Sequence, residues 1–91
     1  MLKIHSIRDI YPYLTSEDYK NRFIGEYLEL GYRLHKLEVI IDKAKDNLLD
    51  FPLSCPITLL MTQAENMTAY QRVLEVRAEV ENVTFPEVSY E

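Results

Sequence analysis

From Phe23 to Ala44 the apolar residues fall at Phe23, Tyr27, Leu30, Leu34, Leu37, Ile41 and Ala44, in alternating steps of four and three. That spacing puts all of them on one stripe of an α-helix, and no strand can produce it, because strand side chains change face at every residue. The ends agree with a helix. Thr15 or Ser16 is placed to cap the N-terminus, Glu17 and Asp18 sit in the first turn, and Lys43 and Lys45 fall in the last, so both ends complement the helix dipole. Taken as helical over 16–46, the stretch is about 31 residues and ~46 Å long. Ile24, Leu28, Tyr32 and Ile40 lie beside the main stripe and widen the apolar face beyond what one partner helix covers. A second contact surface is therefore expected.

Asp50-Phe51-Pro52-Leu53-Ser54-Cys55-Pro56 cannot be helical throughout, since each proline removes a backbone donor and drives the residue before it toward extended geometry. This is the turn. Beyond it Leu60, Gln63, Met67, Tyr70, Leu74 and Arg77 repeat the four-and-three spacing toward Val80, with Ser54 as cap and Pro56 in the first turn. Two helices thus run antiparallel as a hairpin. Ser6 to Tyr11 reads as a short helix stopped by Pro12, and Val83, Phe85 and Val88 around Pro86 read as an extended tail laid on a neighbour.

The expected fold class is all-α: an antiparallel two-helix hairpin with a short N-terminal helix. Residues 1–91 form one domain, divided into an N-terminal segment 1–14, a long helix 16–46, a second helix 55–81 and a tail 82–91. A chain of 91 residues buries only about 63% of its unfolded surface, and a lone hairpin leaves one flank of each helix in water. Self-association as a homo-oligomer follows from those wide apolar faces.

Composition narrows function. One cysteine, Cys55, excludes an internal disulfide, and the start of the chain lacks the basic, apolar and small-residue phases of a secretory signal. Apolar runs stop well short of the roughly 20 residues that span a bilayer. A cytoplasmic protein is expected. Ten Lys and Arg against 15 Asp and Glu give a net charge of -5, which repels a long polyanion. A small anion with two or three charges senses only the side chains around it, so phosphorylated small ligands stay open.

Catalytic patterns are scarce. His5 and His35 lie in different elements, no Cys, His, Asp or Glu cluster has metal-ligand spacing, and no glycine-rich loop precedes a helix. Cys55 has no base near it in sequence and reads as a half-buried structural thiol. Glu26, Glu29, Glu38 and Asp42 read as a solvated helix face. No enzyme, metal or cofactor is expected. Gln63 and Arg77 occupy seam positions, where a buried polar group must find partners. Tyr19, Arg22, Arg33 and Lys36 alternate an aromatic face with positive charge along the first long helix. At a joint between hairpins these cations would bond a phosphodiester while Tyr19 stacks on a base. The plainer reading pairs Arg22 with Glu26 and Arg33 with Glu29 as surface ion pairs. Gly25 and Gly31 each weaken a helix by about 1 kcal/mol, which favours a close approach of backbone or ligand at those points.

The string Tyr19-x-x-Arg22-Phe23-x-x-Glu26-x-x-x-Leu30-x-x-Arg33-x-x-Lys36-Leu37, followed by Leu59-Leu60-x-x-Gln63-x-x-x-Met67-x-x-Tyr70-x-x-x-Leu74-x-x-Arg77, resembles a family of small proteins from tailed bacteriophages. That family includes the anti-CBASS cyclic-nucleotide sponges. The resemblance covers Tyr19 to Arg77. It implies a helical hairpin assembled as a hexamer that sequesters cyclic di- and trinucleotide second messengers in the host cytoplasm without cleaving them. It also implies a dinucleotide contact from Tyr19 and from Lys36 or Arg33 of different subunits, and a second, trinucleotide site for which Arg72 and Arg77 are the available cations. The alternative is a helical interaction or adaptor protein that docks a host or phage protein through an exposed apolar flank.

Overall fold

The computed structural model describes residues 1–91, in the order β1 (Leu2–Ile4), a 3-10 turn (Ile7–Asp9), α1 (Tyr11–Leu14), α2 (Tyr19–Lys45), α3 (Ile57–Glu81) and β2 (Val88–Tyr90). Two long helices packed side by side dominate a body of 42 × 24 × 21 Å. They run antiparallel: contacts that start at Tyr19 and Glu81 continue at Tyr27 and Glu75.

The cap of α2 is Asp18 rather than Thr15 or Ser16. Its carboxylate accepts from the Lys20 N–H at 2.9 Å, while Ser16 Oγ accepts from the Asp18 N–H at 3.1 Å, so Ser16 shapes the approach and the helix starts at Tyr19 rather than at residue 16. At the other end Asn47 adopts a left-handed backbone with φ of 56°, the Leu48 N–H reaches the Lys43 carbonyl at 2.8 Å, and the chain leaves the helix. Asn82, with φ of 57°, ends α3 in the same way through the Val83 N–H and the Ala78 carbonyl at 2.9 Å. Asparagine tolerates this region because its short amide bonds locally. Pro56 occupies the N-cap position of α3 with no side-chain cap from Ser54.

Two apolar clusters hold the fold. Between the long helices lie Phe23, Leu30, Leu74, Ala78 and Val83, with Phe85 folded over Phe23 and Tyr27. On the other flank of α2, Ile4, Ile10 and Leu28 are fully buried and draw in Ile24, Tyr32, Val88 and Tyr90. This is the second contact surface expected beside the main stripe, and the chain's own ends fill it.

Two sequence expectations change here. The neighbour on which the extended tail lies is the chain's own N-terminus: β2 pairs in parallel with β1, Leu2 opposite Val88 and Ile4 opposite Tyr90, so the fold is mostly helical with a small strand pair rather than all-α. Val88 and Tyr90 find their apolar partners within the chain, which removes the need for a second copy there. Pro12 does not stop the first helix but sits in the opening turn of α1, where its missing N–H costs no hydrogen bond. Before it, Asp9 accepts from the backbone N–H groups of His5 (2.8 Å) and Ser6 (3.2 Å), which hold its carboxyl below the usual carboxylate range. No helix is long and apolar enough to cross a membrane.

Both helix glycines mark close approaches, as their cost to the helix suggested. A Cβ at residue 25 would meet the Leu14 backbone nitrogen at 3.0 Å, and one at residue 31 would fall 2.7 Å from Tyr90 Cζ. The approaching groups are α1 and the tail.

Candidate ligand-binding site

Tyr19 opens α2 and is 49% exposed, its ring parallel to Phe23 with centroids 6.3 Å apart. Its hydroxyl donates to Glu81 Oε1 at 2.8 Å and accepts from Arg77 Nη2 at 2.8 Å. Arg77 also donates through Nε to Glu81 Oε2 at 3.1 Å and lies over the Phe23 ring, 4.4 Å from its centroid. The hydroxyl of Tyr19 and then the Arg77 guanidinium hold the Glu81 carboxyl below the usual range, and Glu81 raises Arg77 further. Thus Tyr19 and Arg77, expected in different sites, meet at one end of the hairpin with Glu81 between them. A ligand phosphate arriving there must displace or compete with that carboxylate.

The other candidates stand apart. Arg22 does not reach Glu26: its Nη1 donates to the carbonyls of Ser16 (2.9 Å) and Glu17 (2.8 Å), closing the linker before α2. Arg33 bonds Glu29 through Nε at 3.2 Å, the expected surface pair, and lines an open groove of about 270 Å³ with Leu14, Glu26, Leu30 and Tyr70. Lys36 sits 5.1 Å from the Tyr32 ring centroid and borders a groove of about 300 Å³ with His35, Val39, Ile40 and Glu91. Along one straight helix, Tyr19 is about 21 Å from Arg33 and about 26 Å from Lys36 at 1.5 Å per residue. A single chain cannot close Tyr19 and Lys36 on one small ligand. Arg72 is exposed on α3 and takes part in none of the three ion pairs, His5–Glu91, Arg33–Glu29 and Arg77–Glu81.

Gln63 is not a buried seam amide. It is exposed and lines an open groove of about 520 Å³ on α3 with Leu59, Thr62, Asn66, Met67 and Tyr70. Sequence reasoning also missed two carboxylate–phenol bridges across the hairpin. Tyr27 donates to Glu75 Oε2 at 2.7 Å, and Tyr70 donates to Glu26. Burial, then Glu75, pushes the Tyr27 phenol up to about 12, and Glu26 raises Tyr70. The signal was present in antiparallel pairing, which sets tyrosine on one helix opposite glutamate on the other. Glu26 is therefore part of the hairpin rather than a purely solvated face.

The fold and site thus define a small helical hairpin with aromatics and cations bordering shallow open grooves. A model of the Sequestin family matches residues 17–80, and the chain belongs to that family. The family's name describes binding and withholding of a ligand rather than catalysis, and the matched span contains Tyr19, Arg22, Arg33, Lys36, Arg72 and Arg77. No curated protein and no solved structure matches the chain.

Proposed function

We propose that the protein is a bacteriophage anti-defence sponge that binds cyclic di- and trinucleotide second messengers in the host cytoplasm, as a homo-oligomer, and starves the CBASS effectors those messengers activate. The observation that carries this reading is the separation of Tyr19 from Arg33 and Lys36 along α2. A pocket using Tyr19 as its platform and Arg33 or Lys36 as its cation must take them from different copies, and a two-fold assembly supplies each of them twice, matching a ligand with two phosphates and two bases. Stacking contributes roughly 1–3 kcal/mol per base. Tyr19, Arg33 and Lys36 form the dinucleotide-binding set, with Arg22 offering the donors left over from the Ser16 and Glu17 carbonyls. Arg72 and Arg77 form the trinucleotide set.

Titration calorimetry of the assembled protein with a panel of cyclic di- and trinucleotides tests the reading. Saturable heat is expected with at least one of them, reduced by Tyr19→Ala or Lys36→Ala, with the ligand recovered intact after denaturation. Silence across the panel from a folded oligomer refutes it. The adaptor reading draws on the exposed Val73, Val76 and Val80 of α3. One stoichiometric protein partner, with function indifferent to Tyr19→Ala and Lys36→Ala, would favour that alternative.

A further inference from the structure

Three glutamate–tyrosine bridges tie the long helices together: Glu75 with Tyr27, Glu26 with Tyr70 and Glu81 with Tyr19. Only the last includes an arginine. Arg77 donates through Nε to Glu81 Oε2 at 3.1 Å and through Nη2 to the Tyr19 hydroxyl at 2.8 Å. Nε and Nη2 make up the edge of a guanidinium that takes a carboxylate or a phosphate with two parallel hydrogen bonds. In Arg77 that edge is engaged, one face is closed by Phe23, and the Nη1 donors are free. Arg77 is thus a fixed seat for an anion, with an anion of the same chain already in it.

Little else holds Glu81 there. It is the last residue of α3, next to the left-handed Asn82, at the end where the helix dipole disfavours negative charge, and no basic residue in the last turn offsets it. Its Oε1 is engaged by Tyr19 and its Oε2 by Arg77. The pair is open to water, with Arg77 41% and Glu81 30% exposed, and Glu81 belongs to neither apolar cluster, so its carboxylate can swing away without opening the core.

We propose that Glu81 is a resident counter-anion that sets the affinity of the Arg77 seat for phosphate. The proposal rests on the placement of Arg77 in the trinucleotide set. A phosphodiester taking the Nε and Nη2 edge must expel the carboxylate, and one taking the free Nη1 end sits beside a charge of its own sign. Either route weakens binding. The penalty falls on every anion by a similar factor. It empties the seat of an abundant anion that has no other contact, while a ligand with several phosphates, held also by the other cation of the set, stays bound.

Glu81→Gln keeps an acceptor for Tyr19 and Arg77 and removes the charge. Two probes read its effect: inorganic pyrophosphate, followed through the Arg77 Nε–H signal by nuclear magnetic resonance, and a cyclic trinucleotide, followed by calorimetry. Each is expected to bind Glu81→Gln about 10-fold more tightly than wild type. Glu79→Gln makes the same change in net charge at an exposed residue outside the three ion pairs, and is expected to stay within about 2-fold of wild type. In an Arg77→Gln background, Glu81→Gln is expected to bring no gain. Circular dichroism checks that every variant is folded. Equal or weaker binding by Glu81→Gln shows that the carboxylate only positions Arg77, and overturns the proposal. So does an equal gain from Glu79→Gln, a gain that survives Arg77→Gln, or silence of both probes with both chains. A trinucleotide that never binds, with the pyrophosphate gain intact, refutes the messenger reading and leaves the role of Glu81 standing. Trinucleotide heat from wild type with no gain in Glu81→Gln does the reverse.

Discussion

Gly31 lies in the middle of α2, and the Tyr90 ring from β2 occupies the space a side chain would fill. Tyr90 Oη donates to the Leu28 carbonyl at 3.1 Å, and a Cβ at residue 31 would come within 2.7 Å of Tyr90 Cζ and 3.0 Å of Cε2. Gly31→Ala thus has two opposing effects. Alanine favours the helix over glycine by about 1 kcal/mol. Expelling the ring forfeits a hydrogen bond of about 1 kcal/mol. It also loses ~1–2 kcal/mol of apolar burial from a half-buried tyrosine. The net loss in the wild-type background is about 1–2 kcal/mol, or a fall in Tm of roughly 8 °C for a domain of this size. In a Tyr90→Ala background the ring is gone, and the same substitution is expected to stabilise by about 1 kcal/mol. Urea denaturation followed by helix circular dichroism, at one fixed protein concentration, reads both arms of the cycle. A higher midpoint for Gly31→Ala in the wild-type background would show that Tyr90 does not occupy the notch.

Leu74 is 0% exposed at the centre of the helix–helix cluster, so Leu74→Ala is expected to lose about 2–5 kcal/mol by chemical denaturation, whereas Leu59→Ala, at 59% exposed, stays within about 1 kcal/mol. Tyr27 and Tyr90 are both pushed from the ordinary 10.0 up to about 12, chiefly by burial. Their phenols hold protons more tightly in the folded chain, so the unfolded state carries fewer protons between those values. Stability is accordingly flat below pH 10 with respect to these groups and falls as pH rises from 10.0 toward 12. Tyr27→Phe is expected to make that alkaline slope shallower in a pH series of urea melts, and an unchanged slope would count against the burial of this phenol.

The sequence by itself determined the two long helices, the turn between them and their antiparallel pairing. Those rest on local periodicity and on proline, which act through backbone geometry whatever surrounds them. It also marked Gly25 and Gly31 as places of close approach, because a glycine inside a helix is destabilising without one. The identity of the approaching group was not local: Leu14 and Tyr90 arrive from the two ends of the chain, and β1 and β2 pair across 86 positions from Leu2 to Val88. Periodicity also showed that α2 is apolar on more than one side without showing what covers it. Only the tertiary structure decided that the chain's own termini do, and that Val73, Val76 and Val80 of α3 stay exposed. The candidate cations were legible as residue types on a helix. Their partners were not: a guanidinium reaches over several residues, so Arg22 turning to the Ser16 and Glu17 carbonyls and Arg77 bridging Tyr19 and Glu81 depend on which groups the fold brings within that reach.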